Sequence, residues 1–446
     1  MDVTCRMTNS SVGNAAAAYT AAVPISNEGC KLLRVWLVIS TVLLAAVPQA
    51  EAWAEAAAVF SDTGPDAAAY GDGQHYPVGP RRALVPQTEM VGTYSHFDQI
   101  YPSHLVAKAA SPSPLRRATQ ELALHYRYQG QDHGIDDYLD RNPATGLLIA
   151  RDDTILFEHY RYARTGKDRF LSQSMAKTVT AMLIGIAVQE GAIHSIDQPA
   201  ADYVPELTGT EYGKTPIRAL LHMASGVAFH ETYDGTDDIA QLGRLLFRYD
   251  SPGTARAVAT FNHRDVPPDT RFHYASIETE VLGLVLTRAV HTTPASYLQS
   301  RIWQQIGTEA DATWVTDANG QEATYCCFSA TLRDWARFGM LLAHDGAWHD
   351  RQIIPRQWVL DATTAAAPWL EPQTAPVRYG YGFQVWLLPG PRRQFALLGV
   401  HGQAIMIDPA AGLVLVHTAV RLKPSQDPSA RELRVLWNAL VARYAG

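Results

Sequence analysis

The chain has 446 residues, of which 47% are hydrophobic and 18% charged, enough to bury a large core and to form two lobes. Its net charge of -7 and pI near 6.1 leave no basic footprint, which argues against nucleic acid or an acidic membrane surface as partner. Of the four cysteines, Cys326 and Cys327 are neighbours without the C-x-x-C spacing of a zinc site, and adjacent cysteines rarely bond each other. They are read as small core residues, with no structural disulfide, metal or cofactor expected.

In chain order, Lys31 and Arg34 precede an apolar run over 35–47, and Pro48 and Ala50-Glu51-Ala52 follow it. A basic flank, a short apolar run and a small-x-small site are the parts of a secretory signal, so residues 1–52 predict export to the periplasm or medium. The polar lead over 1–30 is longer than an ordinary signal carries, which leaves an upstream-written start or an uncleaved membrane anchor open. Residues 53–114 are rich in Ala, Gly and Pro with weak periodicity and read as an irregular extension, ending in the linker Ser111-Pro112-Ser113-Pro114.

A polar helix is expected over 115–128, then two β-rich runs, 146–151 and 154–160, around a short polar turn at Asp152-Asp153. A largely apolar helix starts near Ser174 and closes near Gly191. Helical patterns recur over 217–222, 238–247, 280–290 and 331–342, and the middle of the chain is predominantly helical through Ile306. Strands return over 382–387, 395–409 and 413–418, before a last helix over 430–443. Strands at both ends of a helical middle imply an α/β domain over 115–446. One lobe comes from 115–194 and 320–446, and a helical lobe, 195–319, is inserted between them. A cleft between such lobes suits a ligand.

The apolar helix opens with Ser174-Met175-Ala176-Lys177. Residues three apart share a helix face, so the hydroxyl and the amine can lie side by side. A buried amine is driven toward its neutral form and can then accept the serine proton. The free N–H groups and positive end of the first helical turn suit an oxyanion on the attacked carbonyl. Taken alone, Ser-x-x-K is more often a core helix carrying an exposed lysine. Tyr274, in Phe272-His273-Tyr274-Ala275-Ser276, sits on a loop at the foot of a helix and can face a cleft, or simply fill the gap between lobes.

These residues resemble the serine β-lactamase and penicillin-binding superfamily, specifically its class C-like branch of esterases and nylon-oligomer (aminohexanoate-dimer) hydrolases. The resemblance runs from about Ser95 to the end. It rests on Ser174-x-x-Lys177, the loop Leu220-Leu221-His222-Met223-Ala224-Ser225-Gly226, the element Tyr274-Ala275-Ser276, and the segment 397–403 opening an inner strand. It implies an antiparallel sheet flanked by helices. Ser174 would be the acylated nucleophile, Lys177 its proton acceptor, and Tyr274 the relay to the leaving atom and the activator of water, its pKa lowered by the neighbouring ammonium.

Aligning the family's Lys-Thr-Gly with Leu397-Leu398-Gly399 makes the N–H groups of Ser174 and Val400 the oxyanion hole. Another register brings His401 to the site, while a purely structural His401 is the alternative. Tyr233 resembles a substrate-facing tyrosine of the nylon-oligomer enzymes, although a loop tyrosine packed on the surface is the commoner case. Gly399 and Ser276 complete the candidate substrate-binding residues. Leu397-Leu398 removes the cation and hydroxyl that hold a β-lactam carboxylate, and Ser276 stands where many relatives have asparagine, so β-lactam hydrolysis is disfavoured. No Ser-Asp-Asn element is evident, and the class A deacylation scheme is not expected.

The expectation is a metal-free serine hydrolase that forms an acyl-enzyme through Ser174 and cleaves a small-molecule ester, unstrained amide or peptide-like substrate. Two alternatives stand beside it: a β-lactamase or D-Ala-D-Ala-type peptidase using the same site, and a catalytically silent ligand-binding member.

Overall fold

The computed structural model describes residues 56–444 except Ala83, 375–376 and Gln426. The expected signal or anchor, 1–52, lies outside the described residues, and no described helix is long and apolar enough to cross a membrane. Among the described residues the main sheet has nine strands. Its centre is Ala144–Arg151, which pairs on one side with Thr154–Tyr160 and on the other with Leu413–Ala419, both antiparallel. Ala404–Asp408, Phe395–Leu398, Trp386–Leu387 and Gly380–Tyr381 extend the sheet antiparallel from Leu413–Ala419. Strands from the two ends of the domain therefore meet at its middle, as the pattern of strands around a helical centre implied.

Alternation along these strands fixes which face each side chain covers. Leu148, Ala150, Val414 and Val416 belong to the core beneath the helix Leu332–Ala343. Leu147, Ile149, Leu413 and Leu415 pack with Leu436, Trp437 and Leu440 of the C-terminal helix Pro428–Tyr444. Both faces are thus buried, which explains the nearly unbroken apolar runs. The helix Ala176–Gln189 is apolar all round because neighbours enclose it. It stops at Gly191, whose φ of 76° is the left-handed turn that commonly ends a helix.

Three expectations need correction. Residues 115–128 form no helix: Arg116–Arg117 pairs parallel with the edge strand Thr154–Tyr160, and His125–Tyr128 forms a small hairpin with Gln131–Gly134. Of the expected extension, 53–114, the described residues are instead built into the body. Its helix Gln87–Ser95 and the buried Tyr70, Tyr76, Met90 and Val91 join the main core, and Ser103–Val106 pairs with Ala312–Val315 in a second, four-stranded sheet. Lastly, Cys326 and Cys327 are disulfide-bonded to each other. The turn that permits this has Cys327 at a φ of 67° and follows Tyr325, whose carbonyl faces the site.

Candidate active site

Ser174 lies in the single turn Gln173–Met175 that leads into the helix Ala176–Gln189. Gln173, just before it, has a φ of 46°, a left-handed conformation that non-glycine residues rarely adopt. Ser172 anchors the turn: its N–H donates to the Phe328 carbonyl at 2.7 Å, and its hydroxyl accepts from the Phe328 N–H at 3.1 Å. The bend leaves Ser174 partly accessible while the residues after it are enclosed.

Lys177 is only 1% exposed, and its Nζ donates to Ser174 Oγ at 2.9 Å and to the Tyr325 carbonyl at 2.8 Å. Burial lowers its pKa from 10.5 to about 8, against the opposing charges of Glu231 and Glu280. A neutral amine is therefore within reach near neutral pH. The Nζ also sits 5.1 Å from the centre of the Tyr274 ring.

Tyr274 stacks on Trp386 with ring centres 5.4 Å apart. Its backbone is held by the loop Leu220–Gly226: the His273 N–H donates to the Met223 carbonyl at 2.8 Å, and the Ala275 N–H reaches Met223 Sδ at 3.4 Å. Ser225 in turn donates from its hydroxyl to Glu278 Oε1 at 2.6 Å, on the helix Ser276–Val290 that starts beside Tyr274. The expected lowering of the phenol pKa is reversed. Burial and the Glu231 carboxylate push it well above 10, and hydrogen bonding with Ser174 and Ser276 only partly offsets them. Tyr274 rests as a protonated phenol.

The inner strand ends at Gly399, where an added Cβ would lie 2.6 Å from the Ser172 carbonyl and 2.9 Å from Gln173 Cβ. Only glycine lets the strand approach the nucleophile turn this closely. Val400 follows and, with Gly399 and Ser174, lines a cavity of about 400 Å³, within the usual range for small-molecule sites. Tyr233, Tyr274 and Trp386 line it too.

The other expected residues divide. Tyr233 faces the cavity, and its hydroxyl donates to Glu231 Oε1 at 2.5 Å. Ser276 does not line the cavity: it is 1% exposed, and its N–H and hydroxyl both donate to Glu231, at 2.7 Å each. His401 also stays out of the cavity wall. Its Nδ1 pairs with the Arg421 carbonyl at 2.7 Å and its ring lies against Tyr94, which is the structural alternative.

Glu231 is the residue that sequence reasoning passed over. It lines the cavity, joins Tyr233 to Ser276, and influences both Lys177 and Tyr274. The loop holding it is tied by aspartates: Asp237 Oδ2 accepts from the Thr232 and Tyr233 N–H groups, and Asp238 Oδ2 accepts from His230 N–H at 2.6 Å. The one available signal was the density of acids in 231–238, which equally describes a solvated loop.

The β-lactamase family model matches residues 132–437, more than two thirds of the chain. A 6-aminohexanoate-dimer hydrolase of Paenarthrobacter ureafaciens is 25% identical over 357 residues, covering 78% of this chain and 87% of that protein. Among solved structures, a Bacillus anthracis protein provisionally called a 6-aminohexanoate-dimer hydrolase superposes with a TM-score of 0.73 at 23% identity, covering 83% of this chain and 97% of the other. A Bacteroides dorei protein provisionally called a β-lactamase gives 0.55 at 20% identity, covering 69% and 96%. With the serine, lysine and tyrosine elements in the family's order on the family's fold, the chain belongs to the β-lactamase family, within the serine β-lactamase and penicillin-binding superfamily of hydrolases.

Proposed function

We propose that the protein hydrolyses an ester or unstrained amide through an acyl-enzyme on Ser174. The observation that carries this reading is the 2.9 Å contact between the Ser174 hydroxyl and a lysine whose burial brings its pKa to about 8. Neutral Lys177 takes the serine proton as Oγ bonds to the carbonyl carbon. The N–H groups of Ser174 and Val400 receive the oxyanion. The phenol of Tyr274 gives its proton to the leaving oxygen or nitrogen as that bond breaks. The resulting phenolate, strongly basic because it is buried beside Glu231, then takes a proton from the incoming water. Hydroxide attacks the acyl carbon, Ser174 leaves with the proton held on Lys177, and the cycle closes. Tyr274 therefore needs no lowered pKa in the resting enzyme, since it becomes a base only after it has acted as an acid.

Leu397 and Leu398 offer no charge-assisted hydrogen bond to a β-lactam carboxylate, which favours esters and open-chain amides. The curated relative's name, a hydrolase of a 6-aminohexanoate dimer, points the same way, toward a linear amide. Intact-mass analysis with short aryl esters, linear amides and a chromogenic cephalosporin tests the reading. An adduct of the acyl mass is expected with the esters and amides and is expected to vanish in Ser174→Ala. An adduct persisting in that variant would name another nucleophile.

A further inference from the structure

The turn over 324–327 leads into the strand Phe328–Ala330 and contributes no residue to the cavity wall, yet its two flanks support different parts of the site. On one side the Tyr325 carbonyl accepts from Lys177 Nζ at 2.8 Å. On the other, the Phe328 N–H donates to Ser172 Oγ at 3.1 Å and the Phe328 carbonyl accepts from the Ser172 N–H at 2.7 Å, which anchors the turn carrying Ser174. Only Cys326 and Cys327 separate the support of the base from the support of the nucleophile.

These two residues are disulfide-bonded to each other. The Tyr325 carbonyl shares a rigid peptide plane with the Cys326 N–H, which donates to the Ala323 carbonyl at 3.1 Å, so a rotation at Cys326 carries the lysine's acceptor with it. Cys327 has a φ of 67°, a left-handed conformation that a non-glycine residue rarely keeps unless its surroundings impose it. A ring closed through neighbouring side chains restricts the backbone inside it. With the bond closed, the Cys326 and Cys327 carbonyls accept from Trp314 Nε1 at 3.0 Å and the Val315 N–H at 3.2 Å. Upstream, the Thr324 N–H donates to Glu280 Oε2 at 2.8 Å, and its carbonyl accepts from the Thr180 hydroxyl at 3.0 Å. Both ends of the segment are thus pinned, and the cysteine pair is the joint between them.

We propose that Cys326 and Cys327, joined as a disulfide, are positioning residues that hold Lys177 and Ser174 in register, and that a dithiol reductant turns hydrolysis down by opening the bond. In that step the S–S bond breaks, two electrons and two protons pass from the dithiol to the two sulfurs, and the reductant closes into its own disulfide. Freed of the ring, Cys327 relaxes toward ordinary backbone angles. The Tyr325 carbonyl then turns, and the lysine loses the acceptor that aims its amine at Ser174. The cysteines are only 7% and 5% exposed, so the exchange is slow and calls for a small reductant. Its effect on turnover rests on the hydrolase reading above, whereas the place of Lys177 can be followed without it.

Enzyme treated with dithiothreitol, its thiols counted and its fold checked by circular dichroism, should lose about tenfold in kcat on an aryl ester with KM within about twofold. Reoxidation should restore the loss. Cys326→Ala/Cys327→Ala should show the same loss without reductant, and it decides alone where the native protein releases no thiols. Cys326→Ala/Cys327→Gly should recover most of the activity, since glycine adopts a left-handed φ with no ring to enforce it. A bond that merely staples the fold would move thermal stability and not this split between kcat and KM. An unchanged kcat in the folded alanine pair or the reduced enzyme, or a loss that glycine leaves uncorrected, would overturn the positioning role. A chain that folds only with the bond closed rejects it too, as a structural staple. If the oxidised enzyme cleaves no ester or amide, the hydrolase reading fails by itself. The side-chain signal of Lys177 in lysine-labelled protein, assigned with Lys177→Met, then upholds the role by shifting on opening of the bond and rejects it by staying fixed.

Discussion

The two sides of the cavity are built on opposite electrostatic plans. On the nucleophile side Lys177 is fully enclosed, and burial costs it affinity for its proton despite the charges of Glu231 and Glu280. On the far side Arg421 is almost as deeply enclosed, yet among the described residues its guanidinium makes no ion pair and its Nε has no hydrogen-bond partner. Burial can thus neutralise a lysine, whereas a guanidinium keeps its charge. Reactivity is set inside the packed body of the fold. Left-handed backbones occur on both sides, at Gln173 beside the nucleophile and at Tyr233 and His401 in the loops around the cavity.

The sharpest way to break that contrast is at the nucleophile itself. Ser174→Ala should lower kcat by about 10⁴-fold or more while leaving the thermal midpoint nearly unchanged, since the serine is partly accessible. Steady-state kinetics beside calorimetry reads both. Next comes Lys177→Met, which keeps the buried volume and removes the base. A loss of about 10²–10⁴-fold in kcat/KM is expected, with the fold retained by circular dichroism. Gly399→Ala should cost about 10²-fold in kcat, because a Cβ 2.6 Å from the Ser172 carbonyl drives the inner strand, and the Val400 N–H with it, away from Ser174.

The smallest effect sharpens the electrostatic half of the comparison. Because Lys177 must be neutral to act, kcat/KM should rise with pH through an apparent pKa of about 8. The negative charge of Glu231 favours protonated Lys177, so Glu231→Gln should move that rising limb to lower pH. The change at the plateau should stay under about tenfold. A limb that does not move would mean that Glu231 acts only by holding Ser276 and Tyr233.

Much of this could be read from residue order alone, and what escaped did so for physical reasons. Periodic patterns gave the helices Asp238–Phe247 and Leu332–Ala343 nearly to the residue, because each buries one clear apolar stripe. The Ser174–Lys177 contact was likewise legible, since helical spacing enforces it. The run 395–409 looked like one strand, but Val400–Gly402 breaks it into two antiparallel ones, a turn that needs His401 in a left-handed conformation. The strands at Arg116–Arg117 and His125–Tyr128 carry few apolar residues and take their geometry from their partners, so local composition pointed elsewhere. The raised pKa of Tyr274 comes from burial first and then from Glu231, 43 positions earlier in the chain, and no spacing rule reveals either.

One feature near the start of the described chain bears on how the protein behaves in crowded solution. Val59–Phe60 and Arg116–Arg117 both lie parallel along the outer rim of Thr154–Tyr160, with Phe60 stacked on Tyr160. Without them that rim would present unpaired backbone groups, a template on which a neighbouring molecule could add its own strand. The two short segments occupy it first, like a hem sewn over a raw edge. Trimming the chain past Phe60 should therefore show itself as self-association at high concentration before any loss of turnover.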